Sequence, residues 1–389
     1  MIKLIKNGTV YSPEYQGKKD ILIVDRRIGA IEDHLNVEGL PNVEVLDAEG
    51  KLIVPGFIDN HVHIMGGGGE GSYKTRTPEL QLSDAIKGGI TTLVGVIGTD
   101  GTTRTMASLV AKAKGIKEEG LSCFIQTGSY QVPVKTLTGS VEDDIILIEE
   151  IIGAGEIAIA DHRSSQPTYE ELAKIASQAR VAGMLSGKAG IVNVHIGDSP
   201  SKLSLIEEVV EKTDIPIRQF LPTHINRNRK LFEAGINYAK SSGYVDFTTS
   251  SIEKKVTKGQ VKCSEGLKEM LEAGVPLEHI TFTSDGQASL PEFDENGVFI
   301  GLQVGRVTSL YKEVRDAIVN EKIEVENAIK VITSNPADIL KFTSKGYIEA
   351  GKDADLVFLN QETYDIESVI ALGQTMMWEG DVLVKGTFE

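Results

Sequence analysis

The sequence predicts an α/β protein, a (β/α)8 TIM barrel with a small β-sandwich domain built from both chain ends. Eight apolar, β-branched runs alternate with helical stretches, polar residues follow nearly every run, and both termini are rich in short strands. Eight parallel strands are best accommodated by closure into a barrel. A doubly wound open sheet is the alternative, but it gathers its polar residues around one switch point.

Both terminal segments have the sequence pattern of short strands separated by turns. The first fifty residues alternate β-rich runs with Asn-Gly, Arg-Arg and Glu-Gly breaks, and the segments 346–359 and 368–385 also alternate strands with turns. Because isolated hairpins are only marginally stable, strands at the two ends need a common sheet. We therefore expect residues 1–51 and 345–389 to form one small β-domain beside a (β/α)8 barrel of residues 52–344.

The middle of the chain supplies the eight predicted barrel strands. They are Leu52–Ile58, Thr91–Ile97, Ser122–Thr127, Glu156–Ala160, Ile191–His195, Ile217–Pro222, Tyr244–Thr248 and His279–Thr283. Helical segments lie between them. Thr168 and Glu171 form a capping-box pattern before one helix, and Ser201–Lys212 and Arg229–Ser241 have amphipathic periodicity.

Composition and charge limit the class of function. The 389 residues are 41% hydrophobic and 25% charged, which is ordinary for a globular protein. A net charge of -16 argues against a nucleic-acid binder, and no apolar run approaches the roughly 18 residues that a membrane span needs. The N-terminal segment lacks the apolar region of a secretory signal. With only Cys123 and Cys263, no disulfide framework can form, and we expect a cytoplasmic protein.

A His-x-His motif follows the first predicted strand. His61 and His63 are two residues apart, so in a strand their side chains point to the same face. At the C-terminal end of a barrel strand this face is the barrel mouth. Two converging imidazoles are half of a metal site, whereas two surface histidines beside a glycine-rich loop are the alternative.

Further metal-ligand types follow other predicted strands. Glu156 opens the fourth run, His195 ends the fifth, His224 follows the sixth and Asp285 follows the eighth. His162 adjoins the mouth without a spacing argument for metal. Four imidazoles and two carboxylates suit two divalent ions bridged by a carboxylate. Histidine suits zinc, iron, nickel or cobalt and carboxylates extend the range to manganese; we expect zinc.

This arrangement resembles the amidohydrolase superfamily over essentially the whole chain. The resemblance rests on His-x-His, a strand-4 bridging residue, single histidines on strands 5 and 6, and the aspartate on strand 8. The lead-in VPGFID and the late GKDADL are also typical of that superfamily. The resemblance implies a metallohydrolase that attacks an amide with a hydroxide held at a binuclear centre.

A narrower set of motifs resembles the isoaspartyl dipeptidase family, which cleaves β-linked aspartyl dipeptides. These motifs are HVHIMGGGGEG, GVIGTDGTTR, TGSYQVP, ADHRSSQPT, VNVHIGD, PTHINRN and FTSDGQAS. The substrate-binding residues that the resemblance implies are Gly68, Gly69, Glu70, Thr99, Tyr130, Arg163, Arg227 and Ser289. It also implies a small dipeptide as substrate and a homo-oligomer, for example an octamer, while the net charge and the lack of a long apolar run predict no nucleic acid or membrane as partner.

The chemistry of a β-aspartyl dipeptide fits these residue types. Such a dipeptide has one free ammonium and two carboxylates. Glu70 can pair with the ammonium, and Arg163, Arg227 and Ser289 can pair with the carboxylates. The sequence leaves open which arginine binds which carboxylate.

Two residues are expected to take part in the reaction itself. Asp285 is expected to take the proton of the nucleophile and pass it to the leaving amine. Tyr130 is expected to donate a hydrogen bond to the developing oxyanion.

Glu156 departs from the family pattern, in which a carboxylated lysine on strand 4 bridges the metals. Glutamate already carries a carboxylate and needs no adduct of carbon dioxide. Lys135 is a rival for a carbamate, although its Val-Pro-Val-Lys-Thr loop is a poor setting for one. We expect Glu156 to be the bridge.

Two other classes of function stay open. Another amidohydrolase activity, such as cyclic-amide hydrolysis or N-acyl-amino-acid deacylation, would share the metals but should not need both Glu70 and two arginines. An inactive scaffold protein of the same fold should have lost metal ligands, yet every expected ligand position carries a plausible ligand.

Overall fold

The N-terminal segment forms strands of a sheet that both chain ends share. The structure is a computed structural model and describes residues 2–251, 259–293 and 299–389. The first five strands are β1 (Ile2–Tyr11), β2 (Tyr15–Val24), β3 (Arg27–Glu32), β4 (Val43–Asp47) and β5 (Lys51–Pro55). β1 pairs with β2 in antiparallel and with β4 and β5 in parallel orientation.

Eight parallel strands then form the barrel. They are β6 (Phe57–Val62), β7 (Ile90–Gly95), β8 (Ser122–Thr127), β9 (Ile151–Ile159), β10 (Ile191–Ile196), β11 (Phe220–Thr223), β12 (Val245–Thr248) and β13 (Ile280–Thr283). β6 to β11 pair in succession, β12 pairs with β13, and β11 contacts β12. The barrel closes between β13 and β6, where Thr283 Oγ1 donates to the His61 carbonyl at 2.8 Å.

Helices connect and surround the strands. Through the barrel these are α1 (Leu82–Lys87), α2 (Met106–Glu118), α3 (Val141–Leu147), α4 (Tyr169–Ser186), α5 (Ser204–Lys212), α6 (Arg229–Lys240) and α7 (Cys263–Glu272). After β13 come the hairpin β14 (Ser289–Phe293) and β15 (Phe299–Val304), then α8 (Ser309–Val319), α9 (Val325–Ala328) and α10 (Ser334–Ile339). The capping box predicted at Thr168 and Glu171 is present at the start of α4. Within the described residues, no helix is long and apolar enough to cross a bilayer.

The C-terminal segment completes the terminal sheet. Its strands are β16 (Leu356–Asn360), β17 (Ile366–Ala371), β18 (Gln374–Trp378) and β19 (Asp381–Val382). β16 pairs with β5, so the two chain ends form one sheet as the sequence predicts. The division of the chain at residues 51 and 345 stays a prediction, and β5 crosses the first of these positions.

The first predicted barrel strand, Leu52–Ile58, is wrong as a single element. It breaks at Gly56, so that β5 belongs to the terminal sheet and β6 begins the barrel. A Cβ on Gly56 would lie 2.3 Å from Thr91 Oγ1, so only glycine allows this close approach. An unbroken apolar run does not reveal such a change of sheet.

The fourth predicted strand begins too late. β9 starts at Ile151, so Glu156 lies inside the strand and does not open it. The glycines in Ile-Ile-Gly-Ala-Gly weaken the strand pattern ahead of Glu156. The sixth predicted run is partly wrong as well, because Ile217–Gln219 form a 3-10 turn before β11.

The inside of the barrel changes from apolar to polar along the strands. Ile58, Ile152, Ile191 and Leu221, near the starts of their strands, pack with residues of α10 into an apolar floor. Farther along, Asp246 accepts hydrogen bonds from Asn60, Thr223 and Thr281. This polar layer lies on the way to the strand ends, where the candidate site is found.

Candidate metal centre and substrate cavity

A cavity of about 690 Å³ lies at the C-terminal ends of the barrel strands. The predicted site residues that line it are His63, Gly68, Glu70, Thr99, Tyr130, Glu156, Arg163, His195, Arg227, Asp285 and Ser289. His61 is fully buried behind this wall, and His224 lines an adjoining cavity of about 210 Å³. Gly69 is not among the lining residues, although it belongs to the same loop.

Glu156 lies at the centre of the ligand cluster. Its Oε2 is 3.1 Å from His61 Nε2, and its Oε1 is 2.8 Å from His195 Nδ1 and 3.7 Å from His224 Nε2. The His63 Nε2 atom is 3.9 Å from Oε2. One carboxylate therefore faces all four predicted histidines.

Asp285 also lies close to the His-x-His pair. Its Oδ1 is 3.2 Å from His63 Nε2 and 3.9 Å from His61 Nε2. Both Asp285 (φ 52°) and His224 (φ 66°) adopt the left-handed backbone conformation just after β13 and β11 end. Such conformations are uncommon outside glycine and cluster at functional sites.

Two groups of side chains could hold cations. One consists of His61, His63 and Asp285, and the other of His61, Glu156 and His224; within each group the ligand atoms lie within 4.8 Å of one another. His195 stands outside both groups, because its Nε2 faces Asp161 Oδ2 at 3.0 Å while its Nδ1 faces Glu156.

The donor set fits divalent metal ions. His61 Nε2, Glu156 Oε2 and Asp285 Oδ1 are buried and have no hydrogen-bond partner among the described residues. Buried polar atoms without partners are costly, so their convergence indicates a cation between them. Imidazole and carboxylate are suitable ligands for zinc and its neighbours in the first transition row.

The electrostatics of the cluster favour ionised carboxylates. Burial raises the pKa of Glu156, but His61 and the other imidazoles outweigh it and hold this pKa well below its ordinary value. Burial also opposes ionisation of Asp285, whose pKa is nevertheless lowered by His63 and the neighbouring histidines. Burial and His195 lower the pKa of His224 to about 3, so its imidazole is neutral, as metal ligation requires.

The two carboxylates of the cluster raise the pKa of His61. Burial lowers its pKa, but Glu156 and Asp285 outweigh burial and raise it to about 9. Its Nδ1 lies 3.0 Å from Asn193 Oδ1, an acceptor that keeps a proton on Nδ1 and turns Nε2 toward the cluster. Nε2 is therefore the His61 nitrogen that would bind a cation.

Charged residues form the outer part of the cavity. Arg163 makes a two-point contact with Asp161, at 2.9 Å from Nε and 2.7 Å from Nη2. Its Nη1 is 3.2 Å from Glu70 Oε1, which also accepts a hydrogen bond from Thr99 at 3.0 Å. Arg227 donates through Nε to the Ile196 carbonyl at 3.0 Å.

Tyr130 lies between the charged wall and the ligand cluster. Its hydroxyl is 2.9 Å from His195 Nδ1, and the Arg163 guanidinium lies 5.2 Å from its ring centre. Burial, followed by the charge of Glu156, raises the pKa of Tyr130 well above its ordinary value. The phenol thus keeps its proton and can donate a hydrogen bond.

The glycine-rich loop after His63 packs closely against its surroundings. Gly68 has φ 67°, and a Cβ there would lie 2.6 Å from the Thr75 carbonyl oxygen and 3.0 Å from Ser289 Cβ. Any side chain at Gly68 would therefore displace Ser289, another of the predicted site residues.

Lys135, the rival for a bridging carbamate, points elsewhere. Its Nζ donates to the Gly101 carbonyl and to Thr102 Oγ1, both at 3.0 Å, and it does not line the cavity. Glu156 occupies the position between the histidines instead.

Sequence reasoning passed over several residues of this site. Asp161 was not among the predicted site residues, yet it contacts both Arg163 and His195. Asn193 could have been found, because it lies two residues before His195 and so shares its face of β10. Arg104 lies within the Gly-Thr-Asp-Gly-Thr-Thr-Arg motif, where only Thr99 was singled out.

The chain is similar to several known proteins. The β-aspartyl dipeptidase of Fervidobacterium islandicum AW-1, solved in complex with a β-Asp-Leu dipeptide, is 46% identical, with a TM-score of 0.92 over 98% of this chain and 97% of that one. The dihydroorotase of Aquifex aeolicus (strain VF5) is 26% identical and matches 93% of this chain and 92% of its own length. The allantoinase of Bacillus licheniformis (strain ATCC 14580) is 25% identical, over 94% of this chain and 88% of its own length.

A match to a family covers most of the chain. Residues 52–388 fit the sequence profile of the amidohydrolase family. That span takes in the whole barrel and the C-terminal strands of the terminal sheet. The chain is a member of the amidohydrolase family.

Proposed function

We propose that this chain is a metal-dependent dipeptidase that hydrolyses β-aspartyl dipeptides. The observation that carries the proposal is the combination, in one cavity, of a central cluster of metal-ligand types with a charged wall. That wall holds an accessible carboxylate, Glu70, beside two guanidinium groups, Arg163 and Arg227. The likeness at 46% identity to a β-aspartyl dipeptidase supports it.

Two zinc ions per chain are the proposed cofactors. The residues that would hold them are His61, His63, Glu156, His195, His224 and Asp285, with Glu156 between the two ions. When bound, such a pair supplies a nucleophilic water of lowered pKa and polarises the scissile carbonyl.

The chain's own groups move the protons. Asp285 is ionised and lies beside His63, so it can accept the proton of the attacking water and deliver it to the leaving amine. Tyr130 keeps its phenolic proton and can donate it in a hydrogen bond to the oxyanion that forms. Because its hydroxyl now lies 2.9 Å from His195 Nδ1, it must turn from that nitrogen to the substrate.

The charged wall selects the substrate. Glu70, with Thr99 beside it, would pair with the free ammonium of the aspartyl residue. Arg163, Arg227 and Ser289 would pair with the two carboxylates, and the backbone at Gly68 and Gly69 would border the aspartyl end. Asp161 keeps the Arg163 guanidinium in a fixed plane through its two-point contact.

Cyclic-amide hydrolysis is the second candidate. The dihydroorotase and allantoinase relatives favour it, although their identities of 26% and 25% are well below that of the dipeptidase. Dihydroorotate carries a carboxylate but no ammonium, so Glu70 would have no counter-charge. N-acyl amino acids lack the ammonium for the same reason.

A substrate panel separates the candidates. Purified protein supplied with zinc should be assayed with β-Asp-Leu, α-Asp-Leu, dihydroorotate, a hydantoin and N-acetyl-leucine. We expect turnover of β-Asp-Leu alone, or turnover of β-Asp-Leu that is much faster than that of the other four compounds. Faster turnover of dihydroorotate than of β-Asp-Leu would replace the dipeptidase proposal with the cyclic-amide one.

We also propose that the enzyme is a cytoplasmic homo-oligomer, for example an octamer. Sedimentation of the purified chain tests the assembly, and cell fractionation tests the location. A monomer in sedimentation would contradict the first of these proposals.

A further inference from the structure

A buried arginine outside the predicted site faces the glycine-rich loop. Arg104 follows β7, just before α2, and is only 5% exposed. Its Nη2 donates to the Gly67 carbonyl at 2.7 Å, and its Nε and Nη1 lie 3.4 Å and 3.5 Å from the carbonyl oxygens of Met65 and Gly68. Three carbonyl groups of one short loop therefore converge on a single guanidinium.

The glycines allow this convergence. Gly66, Gly68 and Gly69 all have positive φ, at 77°, 67° and 104°, in the region that side chains rarely adopt. These turns bring the carbonyls of three residues toward the same point. The guanidinium offsets the repulsion between these aligned carbonyl dipoles, in addition to backbone hydrogen bonds of the loop such as that from Thr77 N to the Gly67 carbonyl at 3.0 Å.

Arg104 has no close carboxylate partner among the described residues. Asp100 is its nearest acidic contact, at 3.7 Å from Nη1, and the same Asp100 oxygen lies 2.8 Å from Arg76. Burial, the larger cause, and then the charge of Arg76 lower the pKa of Arg104, but a guanidinium stays charged. Its charge is thus compensated mainly by the loop carbonyls, which ties the loop to the guanidinium.

The loop connects the metal-ligand cluster with the charged wall of the cavity. It begins directly after His63 and leads to Glu70, while Gly67 N donates to the Gln287 carbonyl at 3.0 Å, two residues after Asp285. A shift of this loop would move Glu70 relative to the ligand cluster.

We propose that Arg104 is a positioning residue that holds the 65–70 loop, and with it Glu70, at a fixed position relative to the ligand cluster. Its role for substrate rests on the proposed dipeptidase function, whereas its role for the loop does not. Arg104 also lines the cavity, but the groups that its three nitrogens contact are carbonyls of the loop. Lysine cannot replace Arg104. The three nitrogens of the planar guanidinium each face one carbonyl, and the single ammonium group of lysine cannot reach all three.

The test compares Arg104→Lys with wild type in two ways. Hydrogen exchange measured by mass spectrometry reports on the loop without any substrate, and zinc content is measured on the same samples. Steady-state kinetics with β-Asp-Leu report on substrate binding. Arg315→Lys is the matched control, because Arg315 also donates to a backbone carbonyl, that of Thr363 at 2.9 Å, but is not among the residues lining the cavity.

We expect faster exchange confined to residues 65–77 in Arg104→Lys, with unchanged zinc content. KM should rise about tenfold or more, since hydrogen bonds to charged groups contribute on that scale, while kcat changes far less. Arg315→Lys should match wild type in all three measurements.

Two results would overturn the proposal. One is unchanged exchange in residues 65–77 with an unchanged KM. The other is accelerated exchange throughout the chain, in both Arg104→Lys and Arg104→Gln, which would mean a general structural role. If wild type does not cleave β-Asp-Leu, the dipeptidase function fails, and the exchange measurement still decides whether Arg104 holds the loop.

Discussion

Glu70 Oε1 lies 3.2 Å from the Arg163 guanidinium at the mouth of the cavity, so Arg163, which also contacts Asp161, is the counter-ion of Glu70 before substrate arrives. A zwitterionic ligand can replace both partners at once, its ammonium pairing with Glu70 and its carboxylate with Arg163. A ligand with a carboxylate and no ammonium would leave the Glu70 charge unpaired. The pair thus selects for ligands that carry both charges.

Glu70→Gln should reverse this selectivity. Succinyl-leucine is β-Asp-Leu without its ammonium and serves as the test ligand. For β-Asp-Leu we expect a loss of about 1.5–3 kcal/mol in transition-state stabilisation, typical of a charged hydrogen bond. Succinyl-leucine should bind the variant at least as tightly as it binds wild type. Measured kcat/KM and inhibition constants decide, and equal losses for both ligands would indicate a structural role for Glu70.

Asn193→Ala should weaken metal binding without touching any ligand. The Asn193 amide oxygen keeps the proton of His61 on Nδ1, and loss of such outer partners typically costs about 10–100-fold in metal affinity. Zinc affinity measured by competition with a chelator tests this. Asn335→Ala is a useful comparison, because Asn335 is also buried and bonds to backbone carbonyls, those of Leu277 and Ile280. Wild-type zinc affinity in Asn193→Ala would contradict the assignment.

Asp285→Ala should remove nearly all turnover. The change deletes both a proposed metal ligand and the proposed proton carrier, and His61→Ala or His195→Ala should have similar effects through the metals alone. Activity is measured with β-Asp-Leu at saturating zinc, with circular dichroism to show that the fold persists. Wild-type turnover in Asp285→Ala would exclude the proposed mechanism.

Lys345→Met should destabilise the junction between the terminal sheet and the barrel. Lys345 Nζ is buried and lies 2.6 Å from Asp355, 2.8 Å from Asp353 and 2.6 Å from Ser122 on β8. Removal of one partner of a buried ion pair costs about 3–5 kcal/mol, because the remaining charge is uncompensated. Denaturant unfolding at pH 7 measures this loss, and a loss below that of the exposed control Lys212→Met would contradict the expectation.

The same contact predicts a pH dependence. Burial raises the pKa of Asp353, but Lys345 outweighs it and holds this pKa below its ordinary value. A lowered carboxyl pKa contributes stability above the unfolded value of about 3.9, and this contribution is lost as pH falls through the folded value. The difference in stability between wild type and Lys345→Met should therefore shrink below about pH 4.

The sequence predicted the parts of this molecule that local patterns encode. The barrel, the terminal sheet and the capping box at Thr168 follow from periodicity and turn residues. The break at Gly56 could not be predicted, because it depends on a close approach to Thr91, a residue far along the chain. The predicted start of the strand that contains Glu156 was wrong, because the glycines before Glu156 obscure the strand pattern.

The site was predictable where chemistry requires particular residue types. The side chains of His61, His63, Glu156, His224 and Asp285 lie close together, since parallel strands deliver their ends to one face of a barrel, and their role as metal ligands stays a prediction. Contacts between side chains from distant loops could not be predicted. The contacts of Arg104 with the loop carbonyls and the pairing of Glu70 with Arg163 arise only when the loops after β6, β7 and β9 fold together.

Glu156 makes the bridge independent of carbon dioxide, if it holds both ions as proposed. A carbamate forms by addition of carbon dioxide to a neutral lysine amine, whereas a glutamate is ionised at neutral pH. Zinc alone should therefore restore metal-free protein fully, without stimulation by bicarbonate. Glu156→Gln keeps the side-chain shape but removes one negative charge between two cations, so it should lose at least one ion. Fully active Glu156→Gln with two tightly held ions would exclude Glu156 as the bridge.

Metal content and β-Asp-Leu turnover, measured together during zinc titration of metal-free protein in bicarbonate-free buffer, test the central claim most directly. We predict no turnover without metal and a rise in turnover that saturates at about two ions per chain, as in other two-metal sites. Turnover of β-Asp-Leu that persists without metal, or full metal loading with no cleavage of β-Asp-Leu, would contradict a two-metal β-aspartyl dipeptidase.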